Sequence, residues 1–116
     1  MKHFILAAFL AASTSALAGG TTKTDTFAVN GDCGMCEVTI EKAAKLPGVS
    51  SADWDADAKT LIVRYSPKKV TPDDILRSIA KEGYDTEKFT ATDASYKALP
   101  QCCQYDRKAI AAPKAR

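Results

Sequence analysis

Histidine is nearly missing from this sequence: among 116 residues the single one is His3. Since His3 falls in a leader segment described below, the structured part of the chain has neither the commonest general base nor the usual nitrogen ligand of a closed zinc site. An excess of charge of one sign is also lacking. Sixteen Lys and Arg stand against fourteen Asp and Glu for a net +2, and both signs are spread along the chain. No basic face suited to a phosphate backbone results, which argues against nucleic-acid binding. Long apolar runs are scarce as well. The one that stands out, Phe4 to Ala12, has nine residues, whereas a bilayer span takes about 20, so no stable membrane insertion is expected. With 46% hydrophobic and 26% charged residues and no internal repeat, the composition is that of one ordinary globular domain.

The short apolar run follows Lys2 and precedes Ala16-Leu17-Ala18, the order of a basic start, an apolar stretch and a small-x-small exit. Residues 1–18 are therefore expected to be a signal peptide cleaved after Ala18, and 19–23 a flexible leader. The expectation is a protein secreted across the inner membrane to the periplasm, where an oxidising environment would let its four cysteines pair.

Thr26 to Val29 reads as a strand ending at the Asn30-Gly31 turn signal. In Glu37 to Leu46, Val38, Ile40, Ala43, Ala44 and Leu46 recur at helical spacing until Pro47-Gly48 ends the pattern. Val49 to Trp54 and Leu61 to Tyr65 alternate as a hairpin around Asp55 to Lys59. Thr71-Pro72-Asp73-Asp74 opens a second helix with a capping threonine, a proline at the first helical position and two carboxylates at the positive end of the dipole. Ile75, Leu76, Ile79 and Ala80 form its apolar stripe, and Gly83 closes it. Thr86 to Ala91 is a weaker last strand. The order is βαββαβ, and each helix has one apolar stripe that needs one sheet face. The expected fold is thus an α+β, ferredoxin-like sandwich over residues 24–92, a four-stranded antiparallel sheet with two helices on one face. Residues 93–105 are expected to be a C-terminal helical extension set apart from that unit, and 106–116 a flexible tail.

Cys33 and Cys36 lie two residues apart where a strand meets a helix. Both sulfurs can face one point, while free backbone N–H groups and the helix dipole stabilise thiolates there. A soft metal ion suits such a site, with Asp32 or Met35 as auxiliary donors. A structural Cys33–Cys36 disulfide and a thiol-disulfide oxidoreductase of thioredoxin-type spacing are the alternatives. Other catalysis has no support, since the carboxylates sit at caps and turns, so no enzyme is expected.

The layout resembles the heavy-metal-associated domain family, shared by copper chaperones, the N-terminal domains of metal-pumping ATPases and periplasmic mercury-binding proteins. The resemblance covers about Thr24 to Ala91. It rests on Gly31-Asp32-Cys33-Gly34-Met35-Cys36, Leu46-Pro47-Gly48-Val49, Val63-Arg64-Tyr65 and Gly83-Tyr84. It implies reversible binding of Cu(I), or in some members Hg(II), Zn(II) or Cd(II), by Cys33 and Cys36. It also implies transfer by ligand exchange to a metal-transport or efflux protein that docks transiently. Members usually have methionine where this chain has Gly31. Met35 is expected to fold inward and replace that packing, with thioether ligation as the alternative. Asp32 is a second departure, and an aspartate there is similar to the pattern of zinc-exporting pumps, with a solvated turn residue after Gly31 as the equal alternative. Tyr84 falls in the loop that this fold sets beside the metal loop, as an auxiliary at the site or a core aromatic. Trp54 reads as a sheet-packing residue.

Cys102 and Cys103 lie beyond the family pattern. A last strand of about 20 Å would run away from the metal loop, and a largely helical 93–101 would return about 12 to 14 Å of that distance. The Cys-Cys pair could thereby come back beside Cys33 and Cys36. Shared metal ligation, a disulfide to the loop, a vicinal bond and free thiols are the outcomes open to it.

Overall fold

The structure, a computed structural model, describes residues 21–107. The expected signal peptide 1–18, His3 and the tail beyond residue 107 lie outside the described residues. The elements in chain order are β1 (Lys23–Ala28), α1 (Gly34–Ala44), β2 (Val49–Asp55), β3 (Thr60–Tyr65), α2 (Pro72–Lys81), the short α3 (Asp93–Lys97) and a 3₁₀ turn at Gln101–Cys103.

The sheet is antiparallel in the order β1-β3-β2, with Phe27 and Trp54 flanking Leu61 and with Ala52 opposite Val63. Alternation along β2 and β3 sends Ala52, Trp54, Leu61, Val63 and Tyr65 into the core, while Asp53, Ile62 and Arg64 face solvent. α1 and α2 cover the inner face with Ile40, Ala44, Ile75, Leu76 and Ile79, and Ser78 Oγ donates to the Ala43 carbonyl at 2.7 Å where the two helices meet. Val38, included in the expected apolar stripe of α1, is instead exposed, because it lies on the flank of the helix away from Ile40. α2 starts as its sequence dictates. Thr71 Oγ1 accepts from the Asp74 N–H, and Asp74 returns a bond to the Thr71 N–H, both at 3.1 Å.

Three strands form among the described residues, not the expected four. Thr86 makes a single bridge to Val29, with Asn30 N–H donating to Asp85 O and Glu87 N–H to Ala28 O. The ladder stops there because local bonds compete for the backbone. The Thr86 hydroxyl accepts from the N–H groups of Lys88 and Phe89, turning the chain, and the Glu87 carboxylate takes the Ala28 N–H at 2.7 Å. β1 also starts at Lys23, within the expected leader, since its pairing with Tyr65 needs backbone groups and no apolar side chain.

The extension is part of the same core, not a separate appendage. Leu99, Cys103 and Tyr105 are buried in the cluster that contains Ile40 and Ile79. Gly83 makes this possible: its φ is +112°, and a Cβ there would lie 2.7 Å from Ser95 O and 3.0 Å from Leu99 Cγ. The Tyr105 hydroxyl donates to Gly83 O at 2.7 Å and accepts from Asp85 N–H at 2.8 Å. Of the expected flexible tail, Asp106 and Arg107 are described, and Arg107 is held. Its guanidinium bonds both oxygens of buried Asp85 at 2.8 and 3.0 Å and reaches Asp93 and Ala91 O.

Candidate metal centre

The site begins with Cys33, whose extended backbone makes it the N-cap of α1. Its carbonyl accepts from Cys36 N–H at 2.9 Å and Glu37 N–H at 3.2 Å, which commits the chain to a helix at Gly34, earlier than apolar periodicity alone places it. Cys36 is one turn along and points back. Its Sγ lies 3.5 Å from Cys33 N and 3.9 Å from Cys33 Sγ. The Met35 N–H, then the Cys36 N–H, hold the Cys33 thiol below its ordinary range, as donors at a helix start stabilise an anionic sulfur.

Cys103 joins the pair from the extension. The sulfurs of Cys33, Cys36 and Cys103 all lie within 4.8 Å of one another. Cys36 and Cys103 are buried, Cys33 is partly open, and all four cysteines are free thiols. Burial, then the neighbouring Cys36, pushes the Cys103 thiol up. Cys102 faces outward and is not in the cluster. Its carbonyl accepts from Cys33 Sγ at 3.5 Å, and its own thiol lies 3.5 Å from Met35 Sδ and 4.0 Å from Cys103 Sγ.

Tyr84 is fully buried beside these sulfurs, and its hydroxyl has no hydrogen-bond partner among the described residues. Burial, then the Cys103 and Cys36 sulfurs, pushes the phenol up and keeps it a proton donor. An unpartnered buried O–H costs about 1–3 kcal/mol, and a thiolate sulfur holding a metal would supply the acceptor it lacks. The set is therefore chemically suited to a soft cation: three sulfurs at a helix N-terminus with no carboxylate among them, and a buried phenol positioned to donate to a sulfur.

One expectation about the loop needs correction. Met35 does not fold inward; it is 57% exposed, because the space it was expected to fill is already taken. The Trp54 indole fills it, anchored by Nε1 donating to Val29 O at 2.9 Å. A Cβ on Gly31 would lie 2.8 Å from Trp54 Cζ2, 2.9 Å from Cη2 and 3.1 Å from Ile40 Cδ1. The glycine thus reflects the packing of a tryptophan from β2 against the loop. Asp32 is exposed and lies outside the sulfur cluster. Sequence reasoning identified the four cysteines and Tyr84 but missed Tyr105, Asp85 and Arg107, which pin the extension. No spacing rule links residues twenty or so apart in such a loop; the one available hint is an aromatic two residues after Cys103.

The profile of the heavy-metal-associated domain family matches residues 26–85, ending before the segment that carries Cys102 and Cys103. The copper chaperone CopZ of Staphylococcus epidermidis is 39% identical over 56 residues, spanning 47% of this chain and 82% of that protein. Among solved structures, oxidised MerP from Ralstonia metallidurans CH34 aligns with a TM-score of 0.54 at 29% identity, over 57% of this chain and 94% of MerP. The N-terminal domain of a potential copper-translocating P-type ATPase from Bacillus subtilis, solved in its Cu(I)-loaded state, gives 0.54 at 31% identity, over 57% of this chain and 85% of that one.

Proposed function

The chain belongs to the heavy-metal-associated domain family, and on that premise we propose that it is an exported carrier that binds Cu(I) through Cys33 and Cys36 and passes it to a transporter. The observation that carries this reading is the pair of sulfurs 3.9 Å apart at the start of α1, one buried and one partly open. The open sulfur gives access, and the buried one holds the ion while the other exchanges. Transfer then needs no redox chemistry. A partner thiolate forms a bond to the ion as one Cys–metal bond breaks, and the ion keeps its oxidation state throughout.

Likeness to a copper chaperone and to the N-terminal domain of a copper-translocating ATPase supports copper as cargo and a transporter as the docking partner. Likeness to MerP keeps Hg(II) in view, Cd(II) is a further soft candidate, and Zn(II) is a weaker one because Asp32 adds no donor to the cluster. Export is supported by Lys2, the apolar run and Ala16-Leu17-Ala18. No helix among the described residues is long and apolar enough to cross a membrane. The oxidoreductase alternative gains no support from relatives whose names describe metal handling.

The test is a Cu(I) titration against a competing chelator under anaerobic, reducing conditions, using protein recovered from the periplasmic fraction. The wild type should begin at Gly19 and bind tightly, and Cys33→Ser and Cys36→Ser should each lose tight binding while keeping the fold. Unchanged affinity in both variants rejects the assignment, and an uncleaved N-terminus rejects export.

A further inference from the structure

The cluster contains one sulfur more than a CxxC site requires, and it comes from outside the matched domain. We propose that the C-terminal extension is a built-in ligand arm whose Cys103 completes a three-thiolate site with Cys33 and Cys36. The protein then holds its ion three-coordinate and sheltered. This rests on the reading that Cys33 and Cys36 bind a soft metal.

Sulfur spacing favours three-fold coordination. At a metal–sulfur distance of about 2.3 Å, two sulfurs on opposite sides of an ion stand about 4.6 Å apart, and three at the corners of a triangle about 4.0 Å. Cys33 and Cys36 are 3.9 Å apart, and Cys103 is within 4.8 Å of each. The triangle needs adjustments of under about 1 Å, which thiol rotation at a partly open Cys33 can supply.

The arm is built, not merely nearby. Pro100 O accepts from Cys103 N–H at 2.8 Å, forming the 3₁₀ turn that aims the side chain inward. Tyr105, two residues on, bonds Gly83 O and Asp85 N–H, stacks on Tyr84 with ring centroids 6.0 Å apart and meets Tyr96 edge-on at 5.0 Å. Arg107 then clamps Asp85. These contacts fix Cys103 from its C-terminal side, and the same packing puts the orphaned Tyr84 hydroxyl against Cys36 and Cys103. Cys102, its immediate neighbour, points to solvent and takes no part.

Charge suggests which ion the third thiolate favours. Three thiolates leave a residual charge of −2 around a monovalent ion and −1 around a divalent one. Cys36 and Cys103 are buried, so the smaller residual charge costs less to hold. The arm should therefore strengthen binding of a soft divalent ion such as Hg(II) or Cd(II) more than that of Cu(I).

The experiment is X-ray absorption on the full chain loaded anaerobically with one equivalent of Cu(I) or of Hg(II). Three sulfur neighbours are expected in the wild type and in Cys102→Ser, and two in Cys103→Ser. Loss of a group that merely hydrogen-bonds a ligand costs a metal site about 10–100-fold, so losing Cys103 itself should weaken Hg(II) binding at least about tenfold, with a smaller loss for Cu(I). Two sulfurs in the wild type with either ion overturns the proposal, whether or not the variant folds. So does a Cys36–Cys103 or Cys33–Cys103 disulfide in protein isolated under thiol-trapping conditions, since the arm would then be a crosslink. A wild type that binds neither ion refutes the carrier reading itself, a result distinct from tight two-sulfur binding.

Discussion

Gly31→Ala is the most informative single change outside the cysteines, because its cost depends on one identifiable neighbour. Gly31 is not in the left-handed region, so alanine meets no backbone strain there; what it meets is Trp54 Cζ2 at 2.8 Å and Cη2 at 2.9 Å. The ring cannot swing aside cheaply, since it is buried and held through Nε1 to Val29 O. Overpacking of this kind costs about 1–3 kcal/mol. Reduced freedom of the unfolded chain returns about 0.4–1 kcal/mol, leaving a net loss of about 1–2 kcal/mol. With a urea m-value of about 1 kcal/mol/M for a small domain, the midpoint should fall by about 1–2 M. Trp54→Phe removes the two clashing carbons. By itself it should cost about 2–4 kcal/mol for the cavity and the abandoned Val29 carbonyl. In that background Gly31→Ala should become neutral or slightly stabilising. The assay is urea unfolding of the apo protein followed by far-UV circular dichroism across the four members of the cycle, since Trp54 is the one tryptophan and fluorescence would vanish with it. An equal cost of Gly31→Ala in both backgrounds refutes the explanation of the glycine by the tryptophan.

Two further outcomes are expected. Arg107→Ala leaves the buried Asp85 carboxylate, among the described residues, with only the Ala91 N–H, at 2.8 Å, and should destabilise the apo protein by about 2–3 kcal/mol in urea melts; a change below about 0.5 kcal/mol means that the clamp does not hold the extension. The Thr71 N–H and hydroxyl at the start of α2 hold the Asp74 carboxyl below its ordinary range, so its contribution is present above the usual carboxylate pKa and lost as pH falls through the folded value. The difference in Tm between wild type and Asp74→Asn should accordingly narrow below about pH 4, and a constant difference from neutral pH downward contradicts the assignment.

Local rules were enough for the elements and for the principal pair. Capping chemistry at Thr71, apolar spacing in Ile75 to Ile79 and alternation in Leu61 to Tyr65 concern residues within a turn or a strand of one another, where the physics is complete in the sequence. The same holds for Cys33 and Cys36, which spacing and a helix start bring together whatever the rest of the chain does. Contacts between distant segments were another matter. The last strand failed because the Thr86 hydroxyl and Glu87 carboxylate took backbone partners that a ladder would have used, a competition decided by three-dimensional placement. Met35 faced outward because a tryptophan from the following strand had filled its space. Cys103 was a candidate from the reach of the chain alone, although the route assumed for it, along a full fourth strand, is not the one taken. Which of two adjacent cysteines turns inward rests on Tyr105, Gly83, Asp85 and Arg107 packing together, and no local pattern contains that information. Composition and spacing determined that this chain carries soft sulfur ligands on a small α+β frame. Only the tertiary structure decided that three of those sulfurs meet, because their meeting depends on side chains up to about seventy positions apart competing for the same few cubic ångströms of core.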